Sequence, residues 1–154
     1  MPKKLKIYTD GGARGNPGPA AYGVVIYDEG GKKIGEYSKY IGETTNNQAE
    51  YQAVDFAMQK AKELKDSAIQ HNSSRSDSRS ATGPSEIEIY SDSELIVNQL
   101  NQKYKVKNQE LGKWFLKIWN LRQGIGRVSF IHVPRSKNKE ADRLVNEELD
   151  RKAG

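Results

Sequence analysis

KLKIYTDGGARGNPGPAAYGVVIYDEGGKKIGEYSKYI, residues 4–41, decides how this chain is built. Leu5, Ile7 and Thr9 alternate with Lys6, Tyr8 and Asp10, the period of two expected of a strand with one buried face. The run gives way to GGARGNPGPA, a loop rich in glycine and proline, which places Asp10 at the C-terminal end of the strand. Ala21 to Asp28 is a second β-rich run. Glu29-Gly30-Gly31 turns it directly into a third, Lys32 to Ile41, so these two form a hairpin.

Downstream the period changes. Thr45-Asn46-Asn47-Gln48 has the shape of a capping box, and it introduces a helix through about Lys65 with the apolar stripe Ala53, Val54, Ala57, Ala61 and Leu64. Glu86 to Ser91 reads as a fourth strand. Ser91-Asp92-Ser93-Glu94 then caps a helix carrying Leu95, Ile96 and Leu100. Asn108 begins another helix, with Leu111, Trp114, Phe115, Ile118 and Leu121 on one face. Gly126 to Val133 is the fifth strand and Pro134 to Lys137 a short connection. From Asn138 a last helix turns Ala141, Leu144, Val145 and Leu149 inward. The order βββαβααβα implies an α/β architecture, a five-stranded mixed sheet with helices against both faces.

At 154 residues the default is one domain. Ser67 to Ser85 holds seven serines and almost nothing to bury, so it reads as a mobile surface insertion. Deleting Asn72 to Gly83 is therefore expected to leave activity within a few fold; a deletion variant that folds but loses activity would show the segment is not passive. The net charge of +5 and pI near 9.3 suit a polyanionic partner, and the absence of cysteine excludes disulfide and thiolate chemistry. No apolar run approaches the ~20 residues that span a bilayer, and MPKKLKIYTDGG lacks the apolar core of a signal peptide. A soluble cytoplasmic protein, a monomer without membrane contact, is the expectation.

Four acids stand where a core prefers none. Glu50 lies three residues before Ala53, four before Val54 and seven before Ala57, on the buried stripe of its own helix. Asp142, three before Val145 and seven before Leu149, repeats the anomaly on the last helix. Asp10 and Asp92 each close a strand, and the carboxyl ends of strands in α/β sheets are where ligands usually bind. Singly each has a plainer reading, as a helix cap or a first-turn acid favoured by the helix dipole; four together do not. Clustered carboxylates repel one another and call for a cation, and hard oxygen ligands favour Mg²⁺ or Mn²⁺. Two such ions about 4 Å apart can activate water and stabilise the leaving oxygen in phosphodiester hydrolysis.

Four blocks of sequence carry a resemblance. YTDGGARGNPGPAAYG (residues 8–23), TTNNQAEYQA (44–53), YSDSELIVNQL (90–100) and VPRSKNKEADRLVNEEL (133–149) are, in order, similar to the signatures of type 1 ribonucleases H. They span the chain apart from the serine-rich segment. The resemblance implies the ribonuclease H fold and hydrolysis of the RNA strand of RNA/DNA hybrids, leaving 5′-phosphate and 3′-hydroxyl ends. It places the family's four acids on Asp10, Glu50, Asp92 and Asp142, with Asp10 bridging two metal ions and the others completing their shells. It further implies substrate contacts at Asn16, Asn46 and Asn47, whose amides suit a ribose 2′-hydroxyl, and at Thr45 for a DNA-strand phosphate. Gly11, Gly12 and Gly15 are expected to let nucleic acid approach the backbone.

Departures from the family pattern are also legible. Glu94 stands where many members carry glutamine. NQKYKVKNQELGKW, residues 101–114, is short for the basic protrusion of many bacterial members, with Lys103, Lys105, Lys107 and Lys113 as its cations. The family's mobile-loop histidine has no counterpart. His71 lies in the serine-rich segment, His132 reads as a hydrogen-bonded structural histidine within the fifth strand, and Arg135 is left to supply positive charge near a scissile phosphate. Two other readings compete: a hybrid-binding module without catalysis, and a related nuclease acting on a different duplex. An intact acid quartet argues against the first. The opening methionine and the NNQAE block favour a free-standing enzyme over a domain of a polyprotein.

Overall fold

The computed structural model describes residues 4–71 and 84–153, with side chains of 68–71 excepted. Its elements run β1 (Lys4–Ala13), β2 (Gly18–Tyr27), β3 (Lys33–Thr44), α1 (Asn46–His71), β4 (Glu86–Ser91), α2 (Glu94–Leu100), α3 (Gln109–Arg122), β5 (Arg127–His132) and α4 (Lys139–Ala153), with a 3-10 turn at Arg135–Lys137 before α4. This is the order expected from the sequence.

The strands form one sheet in the order β3-β2-β1-β4-β5. β1, β2 and β3 pair antiparallel, whereas β4 runs parallel to β1 and β5 parallel to β4, as their helical crossovers require. Alternation then sorts the side chains between two faces. Leu5, Ile7, Val24, Ile26, Ile87, Ile89, Val128 and Phe130 enter the main core with Val54, Met58, Ile96, Leu100, Leu111 and Ile118 of α1, α2 and α3. Ala21 and Val25 point the other way, onto Ala141, Leu144, Val145 and Leu149 of α4. Helices thus cover both faces, and the α/β fold with a five-stranded mixed sheet is the one the periodicities implied.

Several local expectations are corrected. β1 does not stop at Asp10: Gly11, Gly12 and Ala13 continue it opposite Tyr22, Ala21 and Ala20, because glycines can pair in a ladder as well as turn. Asp10 is consequently held from a strand interior. α1 runs past Lys65 to His71, where Lys62 pairs with Asp66 at 2.9 Å and Lys65 Nζ donates to the Ile125 carbonyl at 2.5 Å. The remainder of the serine-rich segment, 72–83, lies outside the described residues. Leu64, counted on the apolar stripe of α1, is 37% exposed, since that end of the stripe is left uncovered by the described residues. His132 is exposed at the end of β5 with no side-chain hydrogen bond among the described residues, not an internally satisfied histidine.

Candidate active site

Each acid reaches one edge of the sheet by a different route. Asp10 comes from β1. Asp92 follows the last residue of the parallel neighbour β4, whose register sets Thr9 beside Ser91. Glu50 lies in the opening turns of α1, and that helix starts where it does because Thr45 Oγ1 accepts from the Gln48 N–H at 3.2 Å. Asp142 belongs to the first turn of α4.

Two glycines set these helices close. A Cβ on Gly11 would lie 2.3 Å from the Ala49 carbonyl carbon and 2.5 Å from the Glu50 nitrogen, so the backbone of α1 fills that space and carries Glu50 against β1. A Cβ on Gly23 would lie 2.6 Å from the Ala141 oxygen, which seats α4, and with it Asp142, on β2. Gly11 was expected to admit nucleic acid; it is buried, and what it admits is a helix.

One carboxylate oxygen from each of Asp10, Glu50 and Asp92 lies within 4.8 Å of the others. Asp10 and Glu50 are buried, and Asp92 and Asp142 are half-buried in the same cleft of about 390 Å³. Burial, then the charges of Asp92 and Asp142 and a hydrogen bond with Asp142, push the Asp10 carboxyl up to about 8. Burial raises Glu50 well above the usual carboxylate range too, aided by Asp10 and Asp92 and opposed by the Ser91 hydroxyl and Arg135. Glu50 Oε2 is buried without a hydrogen-bond partner among the described residues. A set of hard oxygens, two of whose ionised forms are disfavoured by burial and mutual repulsion and one of whose atoms is orphaned among the described residues, fits a divalent cation, which would favour the ionised forms.

The surroundings fix the set. Asn138 Nδ2 donates to Asp92 Oδ2 at 3.3 Å and to the Thr9 carbonyl at 2.8 Å. Asn146 Nδ2 donates to Asp142 Oδ2 at 3.3 Å, and Arg14 reaches Asn146 at 3.5 Å and Asp150 at 2.7 Å. Of the expected substrate residues, Asn46 and Arg135 line the cleft with Gly11 and Gly12. Asn16 is exposed beside it, its Oδ1 accepting from the Asn46 N–H at 2.9 Å, while Asn46 Oδ1 accepts from the Ala13 N–H at 2.8 Å. Both amides thus help shape the loop and keep their NH₂ groups for other partners. Gly15 is exposed with φ of 95°, Asn47 is half-buried at the start of α1, and Thr45 is occupied as a cap. Trp114 packs on the core and donates to Gln48 Oε1 at 2.8 Å. Sequence reading passed over Asn138 and Asn146; the asparagine before a helix, and one four residues after Asp142, were the only signals.

A family model described as RNase H matches residues 2–150. LC11-RNase H1, isolated from compost by a metagenomic approach and solved in complex with RNA/DNA hybrid, is 44% identical with TM-score 0.84, covering 97% of this chain and 99% of that one. Ribonuclease HI of Halobacterium salinarum is 35% identical over 147 residues, 96% of this chain and 65% of that protein; the RNase H1 structure from this organism has TM-score 0.81 and covers 96% of this chain and 98% of that one. The bifunctional protein Rv2228c of Mycobacterium tuberculosis is 34% identical over 148 residues, 96% of this chain, which spans 36% of that relative's length. The match along nearly the whole chain, joined to the order and pairing of the five strands, establishes that this protein belongs to the type 1 ribonuclease H family.

Proposed function

We propose that this protein is an endoribonuclease that hydrolyses the RNA strand of RNA/DNA hybrids. The observation that carries the reading is the convergence of Asp10, Glu50 and Asp92, with Asp142 on the wall of the same open cleft, beside Asn46 and Arg135. A binding module gains nothing from burying repelling acids, whereas hydrolysis of a phosphodiester needs an activated water and a neutralised leaving oxygen.

Asp10, Glu50, Asp92 and Asp142 would hold Mg²⁺ or Mn²⁺, two ions with substrate present. The metal supplies Lewis-acid stabilisation of the phosphoryl oxygens and a more acidic water. The chain's own groups do the rest. Glu50, buried with an unpaired carboxylate oxygen among the described residues, is suited to orient the attacking water. The Arg135 guanidinium at the cleft wall meets negative charge growing on the phosphate. Attack at phosphorus with departure of O3′ leaves 5′-phosphate and 3′-hydroxyl ends. The free NH₂ groups of Asn16 and Asn46, with Asn47, face the strand that must be told from DNA by its 2′-hydroxyl, for which an amide is a suitable partner. Thr45, the half-buried backbone at Gly12 and the exposed backbone at Gly15 extend this surface, and Lys103, Lys105 and Lys107 between α2 and α3 add positive charge for the phosphates.

The test is cleavage of labelled RNA/DNA, RNA/RNA and DNA/DNA duplexes with Mg²⁺ and with Mn²⁺. Metal-dependent cutting confined to the RNA of the hybrid is expected; hybrid binding with no cutting in either metal would leave the binding-module reading in its place. A second measurement separates Arg135 from His132. Arg135→Ala is expected to lose about tenfold in single-turnover rate, the lower end for one positioned catalytic group, while His132→Ala stays within about threefold. A hundredfold loss in a folded His132→Ala protein would move the assisting group onto β5.

A further inference from the structure

Asn138 is 1% exposed, directly before α4, and it bonds to groups that carry three of the four acids. Its Nδ2 donates to the carbonyl of Thr9, the residue preceding Asp10, at 2.8 Å and to Asp92 Oδ2 at 3.3 Å. Its backbone oxygen accepts from the Asp142 N–H at 3.1 Å, and its own N–H donates to the Arg135 carbonyl at 3.0 Å. One residue thus ties together the strand bearing Asp10, the carboxylate of Asp92, the helix bearing Asp142 and the turn bearing Arg135.

An asparagine at a helix start ordinarily uses its side-chain oxygen to accept from an N–H of the first turn. Here Asn138 Oδ1 is buried with no partner among the described residues, so capping does not account for the side chain. An unmet buried carbonyl is destabilising, and its retention points to the nitrogen's two bonds as the reason for the residue. The chemistry of that nitrogen is also particular. A lysine or arginine there would neutralise Asp92 and compete with a cation, whereas an uncharged N–H donor fixes a carboxylate oxygen and leaves the negative charge in place.

We propose that Asn138 is a positioning residue that clamps the Asp92 carboxylate to the β1 backbone beside Asp10, holding two repelling acids at the spacing a divalent cation requires. The inference rests on the proposed nuclease activity for its kinetic consequence, but its binding consequence stands apart from it.

The experiment uses the full chain with Asn138→Ser, which keeps a good helix-capping residue while being too short to bridge Thr9 and Asp92, and Asn138→Ala beside it. Val128→Ala, a core truncation on β5, serves as a control for stability alone. Mn²⁺ affinity is measured by electron paramagnetic resonance without nucleic acid, and single-turnover cleavage is measured against metal and hybrid concentration. Asn138→Ser is expected to fold, to bind Mn²⁺ about tenfold more weakly, to need correspondingly more metal for half-maximal rate, and to lose about tenfold in kcat with KM for the hybrid unchanged, the scale usual for a group behind a metal ligand. Val128→Ala should lower Tm and leave Mn²⁺ affinity alone. A folded Asn138→Ser protein with the parent's Mn²⁺ affinity and kcat, a change in KM alone, or failure of both Asn138 variants to fold would each overturn the proposal, the last by making the residue a scaffold. A parent chain that binds Mn²⁺ in an Asn138-dependent manner but cuts no hybrid would sink the proposed function and leave this inference standing.

Discussion

Asp10→Asn is expected to lower hybrid cleavage by roughly three orders of magnitude or more at saturating Mg²⁺, because the most central ligand is replaced by a neutral amide. The same change should make the metal-free protein more stable at alkaline pH. The Asp10 carboxyl is raised from 3.8 to about 8 in the fold, so the native state binds its proton more tightly than the unfolded chain does. That contribution to stability is fully present below about pH 4 and is lost as pH rises through about 8. Asparagine carries no such dependence. The variant's Tm should therefore exceed the parent's by several degrees at the upper end of this range, the difference shrinking as pH falls. Added Mg²⁺ should raise the Tm of the parent and not of the variant, narrowing the gap from the other side. Thermal unfolding across the pH range, with and without Mg²⁺, reads all three effects. A variant that still cleaves at the parent's rate would remove the metal reading; one whose stability tracks the parent's at every pH would show that Asp10 is not the strained member of the cluster.

Gly11→Ala should be severely damaging for so small a substitution. The added methyl would sit 2.3 Å from the Ala49 carbonyl carbon and 2.5 Å from both the Ala49 oxygen and the Glu50 nitrogen, all backbone atoms. No rotamer relieves such a contact; α1 must move off β1, and Glu50 moves with it. Overpacking of this severity costs about 3 kcal/mol or more, equivalent to a fall in Tm of roughly 6–12 °C in a chain of this size. Cleavage in the folded fraction should fall as well, since Glu50 leaves the 4.8 Å cluster. Gly12→Ala is the matched control. Its nearest neighbour would be Val145 Cγ1 at 3.7 Å, an ordinary contact, so its stability should change by about 1 kcal/mol or less. Calorimetry on the two proteins decides the matter, and equal Tm values would mean that α1 seats itself on β1 without the glycine.

The sequence by itself determined the element order, the α/β class, and which four acids come to line one cleft. Those are local properties: a period of two or 3.6, a Thr or Ser cap, or a carboxylate out of place on an apolar stripe is written within a few consecutive residues. Glu50 and Asp142 were legible because they broke a pattern that Val54 and Val145 maintained. The tertiary structure alone decided which residues meet across long stretches of chain. Gly11 resembles a loop glycine until Ala49 is found lying on it. Leu64 read as buried because periodicity names a face and not what covers it, and His132 read as internal because its strand was taken to run to Val133. Asn138 carries no sequence signal beyond standing before a helix. Its bonds to Thr9 and Asp92 bridge β1, β4 and α4, which only packing of the folded sheet brings together, and its unpartnered oxygen is a property of burial that no window of sequence contains.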